Sequence, residues 1–217
     1  MKPFPDALLD RLARSRVVAG FTIENASHAV PLCRALLAGG IDTIELTLRS
    51  SAAMGAVRRI AEEVPEICLG VGTILTPEQV LEVKEAGAAF GVAPGLNSRV
   101  VKTAAEAGLP FAPGVCTPSE LEGAIALGCR FVKFFPAEAS GGLKYLRSMA
   151  APYQHLGIQY FPLGGLNAVN MLDYLREQNV PTIGGSWIVQ SDLVANGDWA
   201  AFTQRAAEVV KTLNQGN

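Results

Sequence analysis

Lysine is among the last side chains a protein buries without a partner, yet Lys133 stands between Val132 and Phe134 in the apolar run RFVKFFP. A surface edge strand is the ordinary explanation for such a lysine; the other is chemical. In water, with a pKa near ~10.4, only about one lysine in a few thousand is a free amine at pH 7. An apolar setting disfavours the ammonium and so favours the nucleophile. A free amine attacks a ketone to give an iminium, an electron sink for the adjacent carbon–carbon bond. That chemistry also needs a carboxylate to move protons. In DTIELTLRS, strand periodicity places Glu45, Thr47 and Arg49 on one face and Ile44, Leu46 and Leu48 on the other. Glu45 is then aimed inward and Arg49 lies at the strand end, although an internal Glu45–Arg49 ion pair fits the same pattern.

Other groups supply binding. GVGTIL brings Thr73 close to a ligand after two glycines, or turns its hydroxyl onto its own backbone. Two Ala-Pro-Gly turns, with Pro94 and Pro113, make rigid loops that can wall a pocket. Phe135 shares the face of Lys133. Gly164-Gly165 and Gly184-Gly185-Ser186 are glycine pairs whose N–H groups a phosphate can approach closely, with Ser186 as a further donor. Arg49 and Thr73 suit a substrate carboxylate. Together these parts describe a Schiff-base aldolase acting on a phosphorylated 2-keto acid. His28 and His155 have no metal-ligand spacing and read as surface residues; Trp187 reads as packing or subunit contact. Cys33, Cys68, Cys116 and Cys129 show no C-x-x-C pattern and read as reduced thiols. No G-x-S-x-G, P-loop or H-E-x-x-H motif occurs.

The elements that must position these groups are legible as a repeat. Short apolar runs at 16–23, 42–48, 67–72, 90–95, 109–114, 130–136, 157–165 and 180–186 begin about 20–27 residues apart, the length of one β-α unit. Between them lie helical patterns. SHAVPLCRALLAGG carries Ala29, Leu32, Cys33, Leu36 and Leu37 on one stripe and stops at Gly39-Gly40. TPEQ has a helix cap at Thr76, Pro77 at the first helical position and Gln79 at the capping-box position. Continuous apolar strands alternating with helices imply a parallel sheet covered on its faces. Eight units fit a closed eight-stranded parallel β/α (TIM) barrel, in which chemistry sits at the C-terminal strand ends and phosphate is held after strands seven and eight. A doubly wound open sheet is the alternative, though no G-x-G-x-x-G fingerprint follows the first strand. An extra N-terminal helix, about Asp6 to Ser15, is expected at the barrel bottom. The expectation is one domain over 1–217. Its net charge of −2 and lack of basic runs give no footing for nucleic acid. No apolar stretch approaches a membrane span and no leader pattern opens the chain, so a cytoplasmic location is expected.

The segments LLAGGIDTIELTLRS, GVGTILTPEQ, APGLNS, PGVCTPSE, VKFFPAEASGG and GGSW resemble the 2-keto-3-deoxy-6-phosphogluconate (KDPG) aldolase family, which includes 4-hydroxy-2-oxoglutarate (KHG) aldolases. The likeness runs from about Arg16 to Trp187. It implies a class I β/α-barrel aldolase with no metal or cofactor, usually a homotrimer. By position it implies Lys133 as the Schiff-base lysine and Glu45 as the acid/base. Arg49 and Thr73 would bind the pyruvate portion and Pro94 and Phe135 line the pocket, while Gly164, Gly165, Gly184, Gly185 and Ser186 hold phosphate. Two positions depart from the family pattern. Leu163 replaces the threonine usual in phosphogluconate-specific members, where galactonate-type members carry valine, and VAGFTI replaces a Pro-Val-Ile strand, so that Gly20 and Phe21 reshape the pocket floor. The implied reaction is cleavage of a 2-keto-3-deoxy-6-phospho sugar acid to pyruvate and glyceraldehyde 3-phosphate. The galactonate epimer or KHG is an alternative substrate. From the residues alone, a non-catalytic sugar-phosphate-binding barrel and a phosphosugar isomerase using Glu45 as base also stay open.

Overall fold

The computed structural model describes residues 4–215, so the first three and last two residues of the domain expected over 1–217 lie outside the described residues. The barrel strands are β1 (Val17–Phe21), β2 (Thr43–Thr47), β3 (Cys68–Gly72), β4 (Phe90–Val92), β5 in two pieces (Phe111–Ala112 and Gly114–Val115), β6 (Phe131–Phe134), β7 (Gln159–Pro162) and β8 (Ile183–Gly185). All pairing is parallel. One ladder runs β5-β4-β3-β2-β1-β8, and a second runs from the later piece of β5 through β6 to β7. The break within β5 falls at Pro113, which has no N–H to donate; its carbonyl still accepts from Lys133 N–H at 2.9 Å. Between β7 and β8 the ring closes by packing: Leu163 and Phe161 side chains lie over Gly184, which has no Cβ to obstruct them. The closed barrel and not the open sheet is the observed architecture.

The helices are α1 (Asp6–Ser15), α2 (Ala29–Ala38), α3 (Ala53–Glu63), α4 (Pro77–Glu85), α5 (Ser98–Ala107), α6 (Pro118–Ala126), α7 (Gly142–Ala150), α8 (Met171–Leu175), α9 (Ser191–Asn196) and α10 (Trp199–Gln215). Thr76 caps α4 by accepting from Gln79 N–H while the Gln79 side chain accepts from Thr76 N–H, the reciprocal box read from the sequence. Among the described residues no helix is long and apolar enough to cross a membrane.

The strands are shorter than expected at their C-terminal ends. Residues 22–23, 48, 93–95 and 163–165 leave the ladders and become loops. These apolar or glycine-rich residues continue each run in sequence; Leu48, Ala93 and Leu163 each still donate one backbone bond to the neighbouring strand, to Gly72 O at 2.9 Å, Ala112 O at 3.3 Å and Phe134 O at 3.0 Å, before the runs turn into loops. They build the rim. At the opposite end α1 closes the barrel. Phe4 packs on Phe131 with the rings tilted and their centres 4.7 Å apart, and meets Phe90 edge-on at 6.3 Å, while Leu12, Val18, Cys68 and Phe161 complete an apolar floor. Each such aromatic contributes roughly 1.5–3 kcal/mol by leaving water.

Candidate active site

Strand alternation points Phe131, Lys133 and Phe135 of the β6 segment into the barrel, and Glu45 of β2 points in from the other side. Lys133 Nζ meets Glu45 Oε1 at 3.1 Å, with the two residues 5% and 2% exposed. Each is the other's compensation for burial, because an unpaired charge there would be far costlier. The ammonium also lies 4.8 Å from the centre of the Phe135 ring. Glycines make the room. A Cβ on Gly72 would stand 2.0 Å from Glu45 Oε1, so the carboxylate lies in the space that residue leaves. The second glycine of GVGTIL therefore serves Glu45, and Gly70 serves the Phe90 ring, whose nearest atom would be 2.3 Å from a Cβ.

Above the pair, Arg49 is exposed and its Nε approaches Thr73 Oγ1 at 3.4 Å. Thr73 has φ of 61°, a left-handed backbone rarely adopted by a β-branched residue, which turns its hydroxyl toward Arg49. Pro94 sits half-buried against Gly114, where a Cβ would meet its carbonyl at 2.3 Å. Two threonines that the sequence reading did not select also lie here. Thr22 Oγ1 and Thr47 Oγ1 are 2.7 Å apart, and Thr47 donates to Phe21 O. Thr47 could have been found, since it lies on the face of Glu45 and Arg49.

The glycine loops divide. Gly164 and Gly165 have φ of 98° and 85°, and among the described residues neither N–H has a hydrogen-bond partner. The same holds for Ser186, which is exposed. Gly184 and Gly185 are buried in β8: Leu163 covers the first on the inside, and the Trp187 ring covers the second, 1.9 Å from where a Cβ would stand. Leu163 is 6% exposed and belongs to the interior cluster. Gly20 also faces inward, 3.9 Å from Glu45 Oε2 by its would-be Cβ, whereas Phe21 packs outward among the helices and shapes no part of the pocket floor. His155 is exposed, and His28 is partly buried edge-on to Trp199. All four cysteines are free, and among the described residues no three His, Cys, Asp or Glu side chains gather as a metal-binding group.

A buried lysine held against a carboxylate inside the barrel, at the end where the loops open, fits one class: a β/α-barrel carbon–carbon lyase of the lysine-dependent kind. The chain belongs to the KDPG and KHG aldolase family, whose model matches residues 8–205. It is 42% identical to the KHG/KDPG aldolase of Escherichia coli (strain K12) over 211 residues, 97% of this chain and 98% of that protein. Two solved structures share the fold closely. One is a KDPG aldolase from Legionella pneumophila with pyruvate captured at low pH as a covalent carbinolamine intermediate, with a TM-score of 0.87 at 35% identity over 91% of this chain and 95% of that one. The other is the KDPG aldolase of Zymomonas mobilis ZM4 with 3-phosphoglycerate, with a TM-score of 0.86 at 34% identity over 93% and 94%.

Proposed function

We propose that this aldolase cleaves 2-keto-3-deoxy-6-phosphogluconate to pyruvate and glyceraldehyde 3-phosphate, with Lys133 as the Schiff-base residue and Glu45 as its proton carrier. The buried 3.1 Å contact between them carries the reading. For Nζ to attack C2 its proton must leave, and Glu45 Oε1 is the acceptor within one hydrogen bond. Glu45 returns that proton to the C2 oxygen, which leaves as water as the carbinolamine collapses to the iminium, and the carboxylate is restored. The C4 hydroxyl then gives its proton to Glu45, directly or through a water, and the C3–C4 bond breaks with its electron pair drawn into an enamine. Protonation at C3 and hydrolysis release pyruvate and restore the amine. Arg49 and Thr73 hold the substrate carboxylate, Pro94 and Phe135 wall the pocket, and the N–H groups of Gly164, Gly165 and Ser186 take the terminal phosphate. Gly184 and Gly185 border the same phosphate site, and their lack of a Cβ lets Leu163 and Trp187 pack beside it.

The test is direct. Borohydride added with pyruvate leaves a reduced adduct on Lys133, located by peptide mass spectrometry, and Lys133→Ala abolishes both adduct and pyruvate release. An unmodified Lys133 with activity intact in the variant would overturn the assignment. Leu163 has no hydroxyl to offer a substrate, so a lactate-dehydrogenase-coupled assay across the gluconate epimer, the galactonate epimer and KHG ranks the substrates. The four free thiols suit a reducing cytoplasm. The homotrimer implied by resemblance is checked by light scattering, with exposed Leu75 and Leu81 as side chains for an interface to cover.

A further inference from the structure

The chemistry above makes no use of Glu138, yet this residue fastens the loop after β6 to the loop after β7. Its N–H donates to Gly164 O at 2.9 Å, and the neighbouring Ala137 N–H donates to Leu163 O at 2.7 Å. The side chain then passes beneath the same loop. Its Cβ and Cγ would lie 2.6 and 2.8 Å from a Cβ on Gly165, so only glycine fits above them. Glu138 is exposed as a whole, but its Oε1 accepts from the Tyr174 hydroxyl at 2.5 Å, and Tyr174 is 1% exposed. Tyr174 belongs to α8, the helix into which the Gly164-Gly165 loop runs. Burial, and then the carboxylate, raise its phenol above the usual range, so the hydroxyl keeps its proton and donates. Gly142 completes the seat, since a Cβ there would stand 3.2 Å from Oε1.

This arrangement has a directional consequence. In a trans peptide the N–H points opposite to the C=O. With the Leu163 and Gly164 carbonyls drawn toward the loop after β6, the N–H groups of Gly164 and Gly165 are turned to the other side, where they have no partner among the described residues. Successive N–H groups aimed into one concavity are an anion-binding form. Two adjacent glycines make that form soft, because each has several backbone states open to it. Something must hold it. We propose that Glu138 and Tyr174 form a positioning clamp that fixes the Gly164 and Gly165 amides for the terminal phosphate, and so sets the preference for phosphorylated over unphosphorylated keto acids. The clamp rests on the phosphate role proposed above for those amides.

The experiment compares wild type with Tyr174→Phe, Glu138→Ala and Glu138→Gln. Tyr174→Phe removes one hydroxyl and leaves the ring packing; Glu138→Gln keeps an acceptor for the phenol. Four quantities are measured: KM for phosphorylated KDPG, KM for unphosphorylated KHG, inhibition by inorganic phosphate, and the rate of pyruvate–borohydride trapping. In Tyr174→Phe and Glu138→Ala, KM for the phosphorylated substrate rises about tenfold and phosphate inhibition weakens in step, the size of one charge-assisted hydrogen bond. Trapping and the KM for KHG stay within about twofold in both, and Glu138→Gln stays near wild type, since the lost bond is small and remote from the amine. Unchanged KM and phosphate inhibition in both variants would overturn the clamp, and so would an equal fall in trapping. Should wild type itself ignore phosphate and handle both substrates alike, the phosphate role falls and the clamp falls with it. A phosphate-sensitive wild type with equally sensitive variants removes the clamp alone.

Discussion

The floor and the mouth of the barrel are built by the same eight strands with the same alternation, and they are filled in opposite ways. On β6, inward Phe131 belongs to the floor, and two residues on, inward Lys133 belongs to the mouth. On β3, Cys68 lies in the floor and Gly72 in the mouth. The floor is aromatic and plugged by Phe4 and Leu12. The mouth holds a lysine, a glutamate and glycines that make space for them. The difference is instructive because the floor makes the mouth reactive. With apolar rings beneath and both side chains buried, Lys133 and Glu45 are each other's polar partner, and a proton leaving one has the other as its acceptor.

The largest test of this division is Lys133→Met. It ends pyruvate release and leaves Glu45 buried without a partner, at a cost of about 3–5 kcal/mol in urea unfolding. Replacing Glu45 by Met in the same chain should recover stability but no activity, separating the two contributions. A nearly equal loss of stability, about 3–5 kcal/mol, is expected for Phe131→Ala in the floor. There kcat of the folded protein should be unchanged, and a fall in kcat would break the comparison. Gly72→Ala comes next. Its methyl collides with Glu45 Oε1, so the carboxylate must move, and kcat and the trapping rate are expected to fall about 10²-fold, the scale of general acid–base catalysis, with far-UV circular dichroism unchanged.

A smaller effect concerns the thiols. Burial pushes Cys68, in the floor, from its ordinary value of 9.0 up to about 11, against the lowering influence of Arg11. Its folded value is the higher one, so this contribution is fully present below about pH 9 and is lost as pH rises through about 11. Alkaline unfolding followed with Cys68→Ala, whose midpoint should depend less on pH across that window, measures it. In native protein, partly exposed Cys116 should react with a thiol reagent while Cys33, Cys68 and Cys129 wait for unfolding. The smallest effect has the opposite sign. Gly20 faces the same pocket as Gly72, but a Cβ there would meet nothing nearer than 3.7 Å. Gly20→Ala should fit and raise stability by about 0.4–1 kcal/mol, because the unfolded chain loses freedom. A destabilised Gly20→Ala would show that the mouth is tighter around Glu45 than its geometry implies.

Much of this was legible in the residues. The repeat of strand and helix, the N-terminal helix and the Thr76 cap follow from local patterning, and alternation sets Glu45 on one face with Thr47 and Arg49, and Lys133 on one face with Phe135, with no knowledge of partners. The reasons for particular glycines were not legible. Gly72 and Gly165 each leave space for a side chain distant in the chain, Glu45 in one case and Glu138 in the other. Gly184 and Gly185 read as phosphate ligands by ordinal position; that they also leave room for Leu163 and Trp187 is seen only in the fold. A glycine's purpose lies in what approaches it, and sequence spacing does not record that.

By itself, then, the sequence determined the order of elements, which residues of a strand share a face and which chemical groups are available, because these depend on neighbours within a few positions. Only the tertiary structure decided that Lys133 and Glu45, 88 residues apart, meet at 3.1 Å, and that Glu138 reaches Tyr174 beneath the glycine loop. Those contacts arise from barrel closure, which brings strands together through the helices and loops between them. Their distances depend on how every strand packs at once.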